Sequence, residues 1–355
     1  FLLEGVTGSG KTEVYLQRMQ DVIATGRQVL VLVPEIGLTP QLVTRLRKRL
    51  GIEPALLHSG LTDAQRLAAW RAARSGSARL VVGTRSAIFT PLQKPGLIIV
   101  DEEHDQSFKQ QEGLRYSARD LAIVRAKHLD VPVVLGSATP TLEMLHHCST
   151  GRYVHLELPR RAGGAQPPRL HLIDTVRSPT TDGISEPLAD AAQRHLDAGG
   201  QVLMFLNRRG FAPTLICSNC GHVAGCDRCD SRLTVHASQR QLRCHHCGHS
   251  RPLVEQCTEC GNVVRPLGEG TERLEDALRA RFPDRRIMRI DSDSTQRKGA
   301  MVAALGQARE GEANILVGTQ MLSKGHHFPH LSLVGVVNAD QGLFGTDFRS
   351  AERLA

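Results

Sequence analysis

The chain has 355 residues and a formal net charge of +8 at pH 7, and this length is enough for two or three domains with cores of their own. Its 41% hydrophobic and 23% charged residues are typical of globular proteins, and no apolar run reaches the roughly 18 to 20 residues that a membrane span needs. The basic balance permits a nucleic-acid partner without indicating one. We expect a segment of a longer cytoplasmic protein, because the chain has no signal-peptide pattern and no initiator Met and ends in a helix-like pattern.

A glycine-rich stretch near the first residue matches the phosphate-binding pattern G-x-x-x-x-G-K-[ST]. It comprises Gly5, Val6, Thr7, Gly8, Ser9, Gly10, Lys11 and Thr12. The residues that follow are typical of a helix, whose N-terminus favours an anion. Because glycines let backbone N–H groups turn inward around a triphosphate, we expect ATP here, with Lys11 on the β- and γ-phosphates and Thr12 on Mg²⁺. An ordinary glycine turn is the alternative, and the features below argue against it.

Short apolar runs alternate with amphipathic stretches along most of the chain, which indicates an α/β fold with parallel sheets. In the first half, strands are predicted at 29–35, 55–60, 80–84, 97–103, 133–139 and 153–158. Helices are predicted from Thr39-Pro40 to Gly51, and from a Thr62/Gln65 capping box to Gly76. In the second half, strands are predicted at 202–207, 286–291, 314–319 and 333–340. The two halves therefore share one architecture, although the sequence shows no internal repeat.

Two changes in composition indicate the domain boundaries. The stretch 159–168 is rich in Pro and Gly and is typical of a linker, and a cysteine-rich block interrupts the second half. We therefore predict lobe 1 at 1–158, a linker at 159–185, lobe 2 at 186–213 and 264–355, and a zinc-binding insertion at 214–263.

A predicted strand leads directly into the acidic sequence Asp101, Glu102, Glu103, His104. Parallel α/β sheets bind ligands at the carboxyl ends of their strands, which favours a functional site over a solvated acidic loop. We expect Asp101 to hold the Mg²⁺ shell and Glu102 to take the proton from the attacking water. His104 completes the predicted catalytic group.

The DEEH sequence resembles the DExH signature of superfamily 2 helicases, and other segments follow in the order of that family's motifs. VPEIGLTPQ (33–41), GTRSAIF (83–89), GSATP (136–140) and VGTQMLSKGHHFP (317–329) are similar to motifs Ia, Ib, III and V. The resemblance implies two RecA-like lobes that close on ATP and bind the backbone of one DNA strand. It further implies DNA contacts by Pro34, Thr39, Thr84, Arg85, Thr319 and Gln320, and a nucleotide contact by Gly325.

The segment 105–120 between DEEH and GSATP contains two aromatic residues, in a chain with only 4% of them. Phe108 and Tyr116 lie in sequence beside Lys109 and Arg115. Rings that stack on bases, together with cations that bind phosphates, hold single strands without sequence preference. The segment resembles the aromatic-rich loop that couples ATP to DNA in such motors, so we expect these four residues to contact DNA. Anchoring of the loop in a small core is the alternative.

Eight of the nine cysteines form four C-x2-C pairs, which predict two zinc sites of four cysteines each, because each pair provides half of a tetrahedron. The pairs are Cys217/Cys220, Cys226/Cys229, Cys244/Cys247 and Cys257/Cys260. The 14-residue gap in the middle favours one site from the two inner pairs, and the two outer pairs are left to form the other. Gly221, Gly248 and Gly261 follow second cysteines, as zinc-knuckle turns prefer. We expect Cys148 to be a free thiol.

These motifs, with GVTGSGKTEVY (5–15) and FLNRRG (205–210), resemble the PriA family of primosomal replication-restart helicases over essentially the whole chain. The resemblance implies a bacterial 3′-to-5′ DNA helicase that binds branched and single-stranded DNA at stalled forks and initiates primosome assembly. It implies primosome proteins and the single-stranded-DNA-binding protein as partners, and a cytoplasmic, nucleoid-associated location. The implied cofactors are ATP, Mg²⁺ and two Zn²⁺.

Two parts of the family's pattern are not found in the sequence: a DNA-binding region before the phosphate loop, and the motif VI pattern Q-x-x-G-R-x-G-R. Motif VI supplies an arginine finger, worth about 10³ to 10⁵ in rate in related NTPases, so we expect weak nucleotide binding and poor hydrolysis. Two other functions stay open, a zinc-ribbon adaptor with a degenerate ATPase core and a double-strand DNA translocase that does not separate strands. The intact Lys11, Thr12, Asp101 and Glu102 argue against the adaptor.

Overall fold

A computed structural model of the chain describes residues 1–34, 39–110, 113–164, 166–206, 214–217, 219–229, 232–236, 240–244, 247–267, 271–291, 300–319, 322, 328–340, 349 and 352. The chain divides into two compact units, Phe1–Arg169 (unit 1) and Leu170–Ala355 (unit 2), and the division lies inside the predicted linker. Across the described ranges, no helix combines the length and the apolar character that a membrane crossing requires.

Unit 1 is built on a parallel sheet of seven described strands. The strands are β1 (Leu2–Gly5), β2 (Gln28–Leu32), β3 (Ala55–Leu57), β4 (Leu80–Gly83), β5 (Pro95–Asp101), β6 (Val133–Ser137) and β7 (His155–Leu158). The helices are α1 (Lys11–Ala24), α2 (Thr39–Leu50), α3 (Asp63–Ser75), α4 (Ala118–Leu129) and α5 (Leu142–Ser149). The strand order β3-β4-β2-β5-β6-β1-β7 places the carboxyl ends of β1 and β5 at one edge of the sheet, with only β6 between them.

The six strands predicted in this half all form, because the residues of the central strands are buried and therefore apolar. The predicted capping box is present: Gln65 N–H donates to the Thr62 hydroxyl, and the Thr62 N–H donates to the Gln65 side chain. Gly76 ends α3 with a φ of +76°, a conformation that side chains disfavour. The sequence does not predict β1, because this strand has only four residues and lies directly before the glycine-rich loop.

Unit 2 contains a second parallel sheet, in which the described strands lie in the order 287–290, 315–318, 201–206 and 331–337. A short hairpin of β8 (Thr180–Thr181) and β9 (Ile184–Ser185) precedes it in sequence. The sheet strands are β10 (Gln201–Leu206), β16 (Ile287–Ile290), β17 (Ile315–Gly318) and β18 (Leu331–Val337), and the helices are α6 (Glu186–Asp197), α7 (Thr271–Arg281) and α8 (Ala300–Arg309). All four strands predicted for this half form, so the prediction of two parallel-sheet lobes is confirmed.

The cysteine-rich region lies between β10 and α7 and contains short antiparallel strands. They are β11 (Thr214–Cys217), β12 (Thr234–His236), β13 (Gln241–Arg243), β14 (Ser250–Pro252) and β15 (Val264–Leu267). The first and last of these pair with each other, with Thr214 opposite Leu267 and Cys217 opposite Val264. The other three form a separate small sheet. The chain therefore enters and leaves this region at adjacent points.

A buried glutamine in unit 1 connects three segments of the sheet. Gln28, the first residue of β2, donates from Nε2 to the carbonyl oxygens of Ala73 and Ala78, at 2.9 and 2.7 Å. Its Oε1 accepts from the N–H groups of Gln93 and Lys94, at 2.7 and 3.0 Å. One side chain thus satisfies four backbone groups at the end of α3 and at the approaches to β4 and β5, where backbone groups buried without partners are costly.

Unit 2 repeats part of this arrangement. Gln201, the first residue of β10, is also buried and donates from Nε2 to the carbonyl oxygens of Ala308 and Ala313, at 2.9 and 2.8 Å. These acceptors lie near the end of α8 and just before β17, as the acceptors of Gln28 lie at the end of α3 and before β4. Oε1 of Gln201 has no hydrogen-bond partner among the described residues. The two units therefore share a structural device that sequence comparison of the halves does not reveal.

We predict that Gln28→Leu lowers the free energy of unfolding of unit 1 by about 3 kcal/mol or more, since four buried backbone groups lose their partners. Urea unfolding followed by the fluorescence of Trp70 measures this, because Trp70 is the only tryptophan of the chain and lies on α3. Gln201→Leu is the matched control in unit 2 and should leave the Trp70 transition in place. Equal shifts for the two variants would contradict the prediction.

Candidate functional site

The predicted phosphate loop connects β1 to α1 in a conformation that depends on glycine. Gly8 and Gly10 have φ values of +81° and +98°, and Gly10 caps the N-terminus of α1. A Cβ on Gly5 would lie 2.5 Å from the Oγ of Ser9, so only glycine leaves room for the loop to close. The Lys11 ammonium lies inside this loop and donates to the Gly5 carbonyl at 2.7 Å. The loop thus has the compact shape that a phosphate-binding turn requires.

Polar groups in this loop fit a phosphate ligand. The Oγ of Ser9 is buried and has no hydrogen-bond partner among the described residues. The N-terminus of α1 presents backbone N–H groups at the same place, with Lys11 as its first residue and the half-buried Thr12 next. A triphosphate offers acceptor oxygens to each of these donors, so the residues present suit a nucleotide.

The chain after β7 completes the loop, which the sequence does not predict. The N–H of Ala162 donates to the carbonyl of Gly8 at 2.9 Å, and the N–H of Val6 donates to the carbonyl of Leu158 at 3.3 Å. Ala162 lies in the segment 159–168, which its Pro and Gly content predicts to be a linker. No local pattern in the sequence indicates its contact with the phosphate loop.

Asp101 ends β5 and is hydrogen-bonded to a tyrosine on the helix that follows the phosphate loop. The Tyr15 hydroxyl donates to Asp101 Oδ1 at 3.0 Å, and a Cβ on Gly136 would collide with that hydroxyl. Burial and the neighbouring charge of Glu102 raise the pKa of Asp101 to about 6, although the bond from Tyr15 acts in the opposite direction. Burial and the charge of Asp101 raise the pKa of Tyr15 well above its usual value, so Tyr15 is a neutral donor.

Glu102 and His104 lie next to Asp101 and are held in a strained turn. Glu102 has a φ of +52°, a left-handed conformation that non-glycine residues rarely adopt and that is common at functional sites. His104 Nδ1 lies 2.7 Å from the Ser137 hydroxyl and 3.6 Å from Glu102 Oε2. Because Ser137 belongs to GSATP, the structure brings the DEEH and GSATP segments into direct contact.

Glu103, to which we assigned no role, is the most buried residue of the DEEH segment, with 1% of its surface exposed. Its carboxylate accepts from the backbone N–H of Thr141 at 2.8 Å and from the Arg119 guanidinium at 3.1 Å. Arg119 also donates to the Thr141 hydroxyl at 3.1 Å. These bonds join DEEH, the end of the segment 105–120 and the residue after GSATP. Nothing in the local sequence distinguishes this acid from its neighbours.

The prediction for Phe108 is not supported by its environment. Its ring is 2% exposed and belongs to the main core of unit 1, so it cannot stack on a base in this conformation. The alternative of a core anchor therefore applies to Phe108. Tyr116 is half-buried and makes an edge contact with the exposed ring of Phe89, with centroids 4.9 Å apart. The side chains of Lys109 and Arg115 are exposed, as DNA contacts require.

The segment after DEEH is hydrogen-bonded to both of the preceding motif segments. The Ser107 hydroxyl donates to the carbonyl of Pro34 at 2.8 Å. The Arg85 guanidinium donates to the carbonyl oxygens of Ser107 and Lys109, each at 3.0 Å. Thr84 is half-buried and precedes the short 3₁₀ turn Arg85–Phe89. Arg85 thus positions the loop in addition to the DNA contact that we expect of it.

The remaining predicted residues belong to motifs that the structure describes only in part. Thr39 is the first residue of α2, and Thr319 directly follows β17 and is half-buried. Gln320 and Gly325 lie outside the described residues, as do 207–213, which include the last four residues of FLNRRG.

The structure brings the eight paired cysteines together in two groups of four. Within each group the ligand atoms all lie within 4.8 Å of one another. The groups are Cys217, Cys220, Cys257 and Cys260, and Cys226, Cys229, Cys244 and Cys247. Sulfur–sulfur distances of 3.5 and 3.6 Å in them are close to the edge of about 3.8 Å expected for a tetrahedron of thiolates around Zn²⁺. These are the two groups that the spacing favours, and the donor set suits zinc.

Three of the four pairs have the same turn. Gly221, Gly248 and Gly261 all have φ values between +72° and +77°, and each donates its N–H to the carbonyl of the first cysteine of its pair at 3.0 Å. Only glycine adopts this conformation without strain, which explains its position after the second cysteine. Two nearby histidines have other contacts: His222 lies 3.5 Å from the Thr258 hydroxyl, and His249 lies 3.4 Å from Asp227.

Two family profiles match the chain. One, described as DEAD/DEAH box helicase, matches residues 1–147, and the other, described as the PriA DNA helicase Cys-rich region (CRR) domain, matches residues 226–252. The first contains the phosphate loop and DEEH, and the second contains the inner group of four cysteines.

Similar proteins carry the name Replication restart protein PriA. The chain is 52% identical to the protein from Haemophilus influenzae, 46% identical to that from Synechocystis and 45% identical to that from Bacillus subtilis. These matches cover 99 to 100% of this chain, but 49%, 44% and 44% of the relatives. The chain thus spans about half the length of the curated relatives it matches.

Solved structures of helicases share the fold. The helicase MrfA bound to DNA and AMPPNP matches with a TM-score of 0.54 at 15% identity, over 95% of this chain and 41% of that one. Mss116p bound to ssRNA and AMP-PNP matches with a TM-score of 0.51 at 14% identity, over 95% of this chain and 60% of that one. The RecA-like helicase fold is therefore confirmed.

We predict that Tyr15→Phe moves the acid limit of Mg²⁺-dependent nucleotide binding to higher pH. The tyrosine hydroxyl stabilises the ionised form of Asp101, so its removal raises the pKa of Asp101 above its present value of about 6. The carboxylate that we expect to hold the metal is then protonated over a wider range. Affinity for a fluorescent ATP analogue with Mg²⁺, titrated from about pH 5 to 8, measures the shift. Tyr153→Phe is the control, and the same pH dependence in both variants would contradict the prediction.

We predict that the purified chain holds about two zinc ions and that each group of four cysteines holds one of them. Cys244→Ser should remove the ion of the inner group, and Cys257→Ser that of the outer group, so each variant retains about one ion. Cys148→Ser, which alters the one cysteine outside both groups, should retain both. Metal analysis by mass spectrometry measures the content. Unchanged zinc in the Cys244 and Cys257 variants would contradict the assignment.

Proposed function

We propose that this chain, which belongs to the PriA family of replication restart proteins, forms the ATP-driven DNA helicase core of such a protein. One observation carries the proposal: the phosphate loop after β1 and the acids after β5 open at the same edge of the sheet, with only β6 between them. That arrangement is the one in which α/β proteins bind and hydrolyse nucleotides.

Side chains of the phosphate loop and of DEEH divide the work of ATP hydrolysis. Lys11 binds the β- and γ-phosphates, and Thr12 and Asp101 hold Mg²⁺. When bound, the metal neutralises negative charge on the phosphates. Glu102, next to Asp101, accepts the proton of the attacking water. His104 contacts the Ser137 hydroxyl, so the position of the turn that contains Glu102 is linked to GSATP. From the similarity of 317–329 to motif V, we also infer a nucleotide contact by Gly325.

The DNA substrate is a single strand, reached from a branched junction. Exposed cations on unit 1, together with backbone N–H and hydroxyl donors of the motif segments, bind phosphates without reading bases. The contacts come from Pro34, Thr39, Thr84, Arg85, Lys109, Arg115, Tyr116, Thr319 and Gln320. Translocation in the 3′-to-5′ direction and preference for stalled forks follow from membership of the family.

The proposed domains are lobe 1 at 1–158, a linker at 159–185, lobe 2 at 186–213 and 264–355, and a cysteine-rich insertion at 214–263. The insertion, with two zinc ions, extends from the second lobe. We assign to the whole protein the loading of the replicative machinery, with primosome proteins and the single-stranded-DNA-binding protein as partners. Its place of action is the bacterial cytoplasm, at the nucleoid. The low turnover that we expect of the 355-residue chain, in which no motif VI pattern is found, stays a prediction.

We predict that Glu102→Gln retains MgATP binding but hydrolyses ATP about 100-fold more slowly or worse, because it has lost the proton acceptor. Single-turnover hydrolysis and titration with labelled ATP, both in the presence of single-stranded DNA, separate the two effects. Glu53→Gln is the matched control, because Glu53 is exposed and pairs only with the surface residue Arg47 in the described contacts. Hydrolysis at the unsubstituted rate by Glu102→Gln would exclude Glu102 as the base.

The same assays distinguish the two alternative functions. A zinc-ribbon adaptor with a degenerate ATPase core would bind no MgATP, with or without the substitution. A double-strand translocase would hydrolyse ATP with duplex DNA and move along it, but would not displace a strand from a fork. A strand-displacement assay beside a translocation assay on the same protein separates this function from a helicase.

A further inference from the structure

An open groove of about 650 Å³ lies on unit 1, and none of its described lining residues belongs to the phosphate loop or to DEEH. The lining comes from three segments: α3 and the turn before it, the 3₁₀ turn Arg85–Phe89, and the described residues 110, 113, 114 and 116. The volume lies within the range of about 300 to 1,000 Å³ typical of small-ligand pockets. We call it the Trp70 groove, after the tryptophan of α3 that lines it.

Aromatic rings line this groove. Trp70 is 36% exposed and Phe89 is 56% exposed, although large aromatic side chains are usually buried. Tyr116 completes the set through its edge contact with Phe89. Three of the chain's thirteen Phe, Trp and Tyr residues thus line one opening. The arrangement supplies the stacking surfaces that the sequence leads us to expect of Phe108, whose ring is buried.

Two arginines line the groove. They are Arg66, which also lies 3.7 Å from Asp63 Oδ1, and Arg85, and none of the described lining residues is acidic. His58 lies at the turn after β3, and its Nδ1 is buried without a hydrogen-bond partner among the described residues. Burial and the charge of Arg66 lower the pKa of His58, so its imidazole is neutral at neutral pH. A neutral imidazole with a free nitrogen both accepts and donates hydrogen bonds, as the edges of bases require.

We propose that the Trp70 groove binds a nucleobase of single-stranded DNA, with the base stacked on the rings of Trp70 and Phe89 and its phosphate bound by Arg66 or Arg85. The proposal deepens the proposed function and rests on it, since it places part of the DNA path of the motor on α3. Aromatic rings for stacking and cations that line the same groove are the features that bind single strands. An acidic peptide with an aromatic residue is the competing ligand, and the test below separates the two.

The chain offers a direct probe, because Trp70 is its only tryptophan. Titration of the unsubstituted 355-residue chain with oligo(dT) should quench Trp70 emission, since a base stacked on indole quenches its fluorescence. In parallel, the anisotropy of a labelled oligo(dT) reports binding anywhere on the chain. Binding by anisotropy with unchanged Trp70 emission would overturn the groove proposal and leave the proposed function intact. No binding by either signal would overturn both.

Substitution of a ring that lines the groove tests whether stacking contributes to the binding of oligo(dT). Phe89→Ala should weaken oligo(dT) binding roughly 5- to 100-fold, as the loss of one stacking ring does elsewhere. Val154→Ala is the control, because Val154 is 54% exposed, close to the value for Phe89, and does not line the groove. Equal affinities for the two variants would overturn the proposal. Quenching of Trp70 by an acidic, phenylalanine-containing peptide, but not by oligo(dT), would assign the groove to a protein partner instead.

Discussion

The hydrogen bond between Tyr15 and Asp101 is the contact on which the geometry of the nucleotide site depends. It joins the helix that follows the phosphate loop to the strand that delivers the acids, across the intervening strand β6. Gly136 on β6 has no side chain, and any other residue there would collide with the tyrosine hydroxyl. Because Lys11 and Tyr15 lie on one rigid helix, the bond also sets the distance between the lysine and the acids. The buried carboxylate is held ready for a cation, at the cost of a raised pKa.

The same acids are connected to the predicted DNA-binding surface by a short series of hydrogen bonds. The Asp105 N–H donates to the Glu102 carbonyl at 2.8 Å, the Ser107 N–H donates to Asp105 Oδ1 at 2.8 Å, and the Ser107 hydroxyl donates to Pro34. Arg85 adds two further bonds to the same loop. A contiguous network of this kind can carry energetic coupling between two sites. A change in the strained backbone of Glu102 therefore has a direct route to the loop that lines the Trp70 groove.

The sequence predicts those parts of the molecule that local patterns determine. The buried parallel strands form because both faces are covered and their residues must be apolar, and the cysteine groups form because spacing alone limits which pairs can meet. Phe108, Glu103 and Ala162 lie beyond such patterns. Phe108 is buried in a core cluster whose members range from Leu2 to Met144, and Glu103 is paired with Arg119 and Thr141. Ala162 contacts a loop about 150 residues earlier, because β7 lies beside β1 in the sheet. Each depends on tertiary contacts, which composition does not encode.

The cysteine-rich region buries little apolar surface, so its order would depend on metal. The buried members of its core cluster are four aliphatic side chains, an alanine and Cys244, and its strands have three or four residues each. Short strands with so little buried surface are marginal in water. Ions held by the two groups of four cysteines would supply what the core does not, since these groups include the three repeated turns and the outer group lies beside β11 and β15. Because those two strands pair with each other, the chain returns to the point where it left. The second sheet therefore keeps its parallel register around this insertion.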